Sequence, residues 1–130
     1  MKILCLTPIK HLKGVFEKLE SFGEVCYHPN INKHDFKFLF INYYDVIFCN
    51  PNKQNYVLDK QTLRNFQGVI ITASTGLNHI DLDYCKNNDI KVLSQKNDYK
   101  LLNDLPSTSE LAFGLMLSIL RNIPRGFDDV

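Results

Sequence analysis

At 130 residues the chain is long enough for one domain with a real core, and its composition of 45% hydrophobic, 22% charged and 12% aromatic residues excludes a disordered or fibrous protein. The 15 Lys and Arg against 14 Asp and Glu leave a formal net charge of +1, which excludes the electrostatic footprint of a nucleic-acid or anionic-membrane binder. The N-terminus is too short an apolar run for a signal peptide, and Leu111 to Leu120 falls well short of the ~20 residues of a membrane span, so a cytoplasmic protein is expected.

In chain order, β-rich runs alternate with helical patterns. Ile3 to Leu6, Glu24 to Tyr27, Asp45 to Cys49, Gly68 to Thr72 and Ile90 to Leu93 read as strands. His11 to Phe22, Lys33 to Tyr43, Leu58 to Phe66 and Asp81 to Asn88 carry apolar residues at helical intervals and read as helices, the last capped by Asp81. Such alternation predicts a parallel sheet with helices on both faces, here a flavodoxin-like doubly wound five-stranded α/β domain. Runs such as Val46-Ile-Phe and Val69-Ile-Ile, apolar without alternation, suit strands covered on both sides. Cys5, Cys26, Cys49 and Cys85 show no CxxC pairing and read as reduced, structural thiols.

In a doubly wound sheet, ligands bind at the carboxyl ends of the strands. Four loops are thereby nominated: Thr7-Pro8-Ile9, Asn50-Pro51-Asn52-Lys53, Ser74-Thr75-Gly76-Leu77-Asn78 and Ser94-Gln95-Lys96-Asn97. The second and third are rich in small polar residues and residues that present backbone N–H groups, which suits a carboxylate. The same residue types are also what tight turns need. His79 reads as a packed or surface histidine rather than an acid or base.

The last helix begins after Pro106, where Ser107 and Glu110 have the spacing of a capping box. Leu111, Leu115 and Ile119 form one apolar ridge, Ala112, Met116 and Leu120 a second, and Phe113 with Leu117 a third. Only Glu110, Gly114, Ser118 and Arg121 suit water, so more than one partner surface is expected to cover this helix.

Two stretches, Val69-Ile-Ile-Thr-Ala-Ser-Thr-Gly-Leu-Asn-His-Ile-Asp-Leu82 and Pro106-Ser-Thr-Ser-Glu-Leu-Ala-Phe-Gly-Leu-Met-Leu-Ser-Ile-Leu-Arg121, resemble the N-terminal substrate domain of the D-isomer-specific 2-hydroxyacid dehydrogenases. The motifs carry the resemblance from the fourth strand to Pro124; before Gly68 it rests on architecture alone. It implies residues 1–104 as the N-terminal part of the substrate-binding domain and 105–130 as an interdomain and dimerisation helix. Substrate contacts would come from Asn50, Pro51, Asn52, Ser74, Thr75, Gly76, Leu77 and Asn78. Dimer or interdomain contacts would come from Leu111, Phe113, Leu115, Met116, Leu117, Ile119, Leu120 and Ile123. The implied partners are a small 2-hydroxy or 2-oxo acid and a second copy of the chain. One departure is Ser94-Gln95-Lys96-Asn97-Asp98-Tyr99, which replaces the family's usual turn with a longer loop.

The 6 glycines include no Gly-x-Gly pair, so no dinucleotide fingerprint is present. NAD or NADP is expected in the intact enzyme and not on this chain alone. The family's catalytic arginine, glutamate and histidine follow that fingerprint and have no counterpart here, so isolated inactivity is expected. Two other readings share the architecture. A receiver domain needs acidic residues after the first strand and at the end of the third, where this chain has Thr7-Pro8 and Cys49-Asn50. A stand-alone small-acid-binding or regulatory module of the same fold remains the alternative.

Overall fold

The computed structural model describes residues 1–51 and 56–123, with the main chain alone at Lys37. The five apolar runs form strands β1 (Lys2–Cys5), β2 (Glu24–Tyr27), β3 (Val46–Cys49), β4 (Val69–Thr72) and β5 (Lys91–Ser94). Every neighbouring pair is parallel and the order is β2-β1-β3-β4-β5. The expected alternation therefore produces the expected sheet.

Burial follows position in the sheet. In β1 the residues Ile3, Leu4 and Cys5 are all buried, as are Val46, Ile47 and Cys49 of β3, because an inner parallel strand is covered on both sides. The edge strand β5 alternates exposed and half-buried residues instead. Leu4, Leu6, Ile47, Cys49, Leu58, Leu63, Phe66, Ile70, Ile80 and Ile90 belong to one contiguous buried cluster. Each large side chain so buried stabilises the fold by about 1.5–3 kcal/mol. Gly68 enters β4 where an added Cβ would lie 2.1 Å from the Asp45 carbonyl oxygen and 2.6 Å from the Phe66 ring, so only glycine fits.

The crossovers depart from expectation. Helix α1 spans only Val15–Glu20 within the expected His11 to Phe22, because Gly14 sits at φ 77 in the left-handed region and ends the helix on that side. The expected helix from Lys33 to Tyr43 is two 3-10 turns, Asp35–Phe38 and Ile41–Tyr43, broken by extended Leu39. Phe36, Leu39, Phe40 and Tyr43 keep helical spacing, but Phe38 and Ile41 fall off that face; the broken form buries Phe36 and Ile41 and exposes Phe38, Phe40 and Tyr43.

Leu58 to Phe66, expected as a helix, is a run of turns. Asp59 and Thr62 cap one another there: the Asp59 amide donates to Thr62 Oγ1 at 2.7 Å, and the Gln61 and Thr62 amides donate to Asp59 Oδ1 at 2.9 and 3.0 Å. Asn65 at φ 63 then turns the chain out before a second helical turn forms, with Leu63 and Phe66 buried. Helix α2 (Leu82–Asn87) agrees with expectation, and Asp81 caps it by accepting from the Tyr84 amide at 2.9 Å.

The chain divides into two compact units, Met1–Asn97 and Asp98–Val130. The second holds α3 (Tyr99–Asn103), capped by Asp98, and α4 (Ser107–Leu120). The capping box expected at Ser107 and Glu110 does not form. Pro106 is the cap and Ser107 is already the first helical residue, so its hydroxyl is past the position from which it would reach the free amides. No residue of α3 or α4 is buried; Leu111 is 64% and Ile119 76% exposed. Among the described residues no helix is long and apolar enough to cross a membrane.

Candidate functional site: the carboxyl edge of the sheet

Because all five strands are parallel, their carboxyl ends share one edge, and the register places the loops after β3, β4 and β5 side by side. Cys49 pairs with Thr72 and Thr72 with Ser94. One residue further on, the Ala73 amide donates to Asn50 Oδ1 at 3.0 Å and joins the β3 and β4 loops. The Gln95 amide donates to the Ser74 carbonyl at 3.2 Å and joins the β4 and β5 loops. Asn52 and Lys53 lie outside the described residues.

The loop after β4 is held from inside by side chains. Ser74 Oγ donates to the Gly76 carbonyl at 2.9 Å, and Thr72 Oγ1 lies 2.8 Å from Ser74 Oγ. Behind them is His79, only 5% exposed, with Nε2 at 3.1 Å from Thr72 Oγ1. Its carbonyl accepts from the Leu58 amide at 2.9 Å and the Asp81 amide returns to the Leu58 carbonyl at 2.9 Å, so main-chain bonds fix both sides of Ile80. Burial holds His79 below the ordinary histidine value. The packed alternative expected for this residue is what the structure shows.

The outer side of the loop is open. Thr75, Gly76 and Asn78 are exposed, Ser74 and Leu77 half-buried, and a Cβ added at Gly76 would meet nothing within 4 Å among the described residues. Among the described residues, the amides of Ser74 through Asn78 donate to no protein acceptor. A row of free N–H groups at a strand end is what an anion needs.

Asn50 and Pro51 also line a cleft of about 450 Å³ with Thr7, Ile9, Pro29 and Asn30. Ser74 to Asn78 do not line it. Pro29 and Asn30 lie outside the four loops nominated from the sequence, although Pro-Asn after a strand is a turn signal that marks a strand end. Tyr27 Oη accepts from the Ile9 amide at 3.2 Å and ties the loop after β1 to β2.

The thiols around this edge are inert. Burial pushes Cys49 up to about 12 and raises Cys5 as well, so both stay protonated at neutral pH. Among the described residues no three His, Cys, Asp or Glu side chains are grouped to hold a metal. The residues do not fit a dinucleotide either: the turn after β1 is Leu6-Thr7-Pro8-Ile9, without a glycine and with a proline that has no amide to donate.

A parallel sheet with small-residue loops at its carboxyl edge belongs to the class of open-sheet α/β domains. Within that class the chain belongs to the D-isomer specific 2-hydroxyacid dehydrogenase family, whose catalytic-domain model matches residues 5–100. The structure is similar to an NAD-dependent formate dehydrogenase from Staphylococcus aureus solved with NAD, at TM-score 0.69 and 22% identity, covering 97% of this chain and 40% of that one. It is also similar to a D-lactate dehydrogenase from Aquifex aeolicus solved with NAD and lactic acid, at TM-score 0.66 and 17% identity, covering 98% and 36%. An acyclic imino acid reductase solved with NADPH and D-Arg matches at TM-score 0.71 and 19% identity, covering 98% and 40%. The chain thus spans well under half the length of these proteins. No curated protein matches it.

Proposed function

We propose that this chain is the substrate-domain part of an NAD(P)-dependent D-2-hydroxyacid dehydrogenase, and that its loops after β3 and β4 bind the carboxylate of a small 2-hydroxy or 2-oxo acid. The reaction of the intact enzyme is hydride transfer between a nicotinamide cofactor and that acid. The free amides of Ser74 through Asn78 carry the reading, in a chain whose family is that of such enzymes. Asn50 anchors the neighbouring loop through Ala73, with Pro51, Thr75 and Leu77 completing the wall. The sheet order β2-β1-β3-β4-β5 supports a flavodoxin-like reading of the domain.

These residues supply one wall only. They offer no dinucleotide fingerprint and none of them carries a titratable side chain, so the chain by itself is inactive, since catalysis requires both reactants to be positioned. The test is oxalate titration of the intact enzyme carrying Gly76→Phe. A Cβ there meets nothing within 4 Å among the described residues, so the free protein is expected to tolerate the substitution while the ring crowds the exposed loop. A loss of affinity of about tenfold or more is expected; unchanged affinity removes the reading.

The same reading makes α4 an interdomain and dimerisation helix, contributing Leu111, Phe113, Leu115, Met116, Leu117, Ile119 and Leu120, with Ile123 beyond its end. All of these are exposed, and leaving one such ridge in water costs several kcal/mol on the scale of about 1.5–3 kcal/mol per side chain. Sedimentation at micromolar concentration is expected to give a dimer mass. A strictly monomeric species counts against it.

A further inference from the structure

We propose that His79 is a positioning residue for the acid-binding loop: neutral, with its proton on Nε2, it heads a one-way chain of hydrogen bonds through Thr72 and Ser74 to the Gly76 carbonyl. The last step deepens the carboxylate reading and rests on it; the chain of protons does not.

The direction follows from counting protons. A carbonyl oxygen only accepts, so the 2.9 Å contact between Ser74 Oγ and the Gly76 oxygen uses the single hydroxyl proton of Ser74. Thr72 must then donate across the 2.8 Å contact to Ser74 Oγ, which uses its own single proton. At the 3.1 Å contact with His79, Thr72 is therefore the acceptor and Nε2 the donor. Were the ring reversed in role, Thr72 would donate to Nε2 and Ser74 to Thr72. Two oxygens, Ser74 Oγ and the Gly76 carbonyl, would then face each other without a proton between them.

A second observation selects the same tautomer. His79 Nδ1 is buried and has no hydrogen-bond partner among the described residues. With the proton on Nε2, Nδ1 is a bare lone pair; in the other tautomer, or in the imidazolium, it is a buried N–H with no acceptor, a far rarer arrangement in folded proteins. The Cys49 thiol beside Thr72 is at most a weak acceptor and does not compete with Ser74 Oγ for the Thr72 proton.

The chain gives the loop its shape. Drawing the Gly76 carbonyl onto Ser74 holds the turn in a form whose amides, from Ser74 through Asn78, have no acceptor among the described residues. Thr72 at 2% and His79 at 5% exposed are shielded from water that would otherwise compete for these bonds.

The test has two arms. In the full chain at neutral pH, the ¹⁵N resonances of the His79 ring are expected to show a protonated Nε2 and an unprotonated Nδ1; the other tautomer or an imidazolium overturns the inference whether or not the loop binds an acid. In the intact enzyme, His79→Gln keeps a donor near the Nε2 position and is expected to hold KM for pyruvate near the parent value. His79→Phe keeps a ring without the donor and is expected to raise KM about tenfold, the loss of one hydrogen bond, with kcat little changed. Equal KM for the two variants, or a fall in kcat alone, overturns the positioning role. If the tautomer stands while Gly76→Phe leaves oxalate affinity untouched, the site assignment has failed and the proton chain has not.

Discussion

The strands of the first unit and the helix α4 are almost equally apolar, yet they meet opposite fates. Ile3, Leu4, Ile47 and Ile70 are at most 1% exposed, whereas Leu111, Phe113, Leu115 and Ile119 are 56% exposed or more. The difference lies in what pairs with each. A strand brings its own cover, because hydrogen bonding to a parallel neighbour forces crossovers over the sheet. A helix satisfies its main chain internally and brings none. Apolarity thus marks a surface to be covered, while topology decides whether this unit covers it.

Truncations widen or close that gap. Ile47→Ala, in the middle of the sheet, is expected to cost about 2–5 kcal/mol by urea denaturation. Leu115→Ala in α4 of the isolated chain is expected to shift stability by no more than about 0.5 kcal/mol. A large effect at Leu115 would mean that α4 is already packed. Next is Gly68→Ala, expected to destabilise by about 1–3 kcal/mol because the new methyl meets the Asp45 carbonyl rather than a yielding side chain.

The helix caps make a smaller contrast. Asp81→Ala removes the acceptor for the Tyr84 amide and is expected to cost about 1 kcal/mol. Ser107→Ala removes no cap bond and is expected to change the urea midpoint hardly at all.

The gentlest effect is a slope with pH. The folded His79 lies below its ordinary value of 6.5, so the unfolded chain binds the proton more readily. The stability of the neutral form is therefore complete above about pH 6.5 and declines as the pH falls through that value toward the folded pKa. His79→Gln is expected to remove this segment of the stability profile. A separate decline, beginning near 3.8, is expected to remain from Asp59. Burial alone would raise that carboxyl, but the Thr62 and Gln61 amides, the Thr62 hydroxyl and Lys33 outweigh it and hold it low.

The five strands, their parallel arrangement and the loops at their ends were legible because each depends on residues adjacent in the chain: a run such as Val46-Ile-Phe is apolar without alternation only if both its faces are covered. The same locality revealed Asp81 as a cap. The crossovers were not legible in this way. Lys33 to Tyr43 and Leu58 to Phe66 have helical intervals, but their conformation was decided by which side chains reach the core, Phe36 and Ile41 in one and Leu63 and Phe66 in the other. Nor does a sequence show that Pro29 and Asn30 meet Asn50 and Pro51 in one cleft, or that His79 stands behind Thr72. Local pattern tells the chain what to bury; only the packed sheet determines which distant polar atoms are left facing one another, and hence where each proton resides.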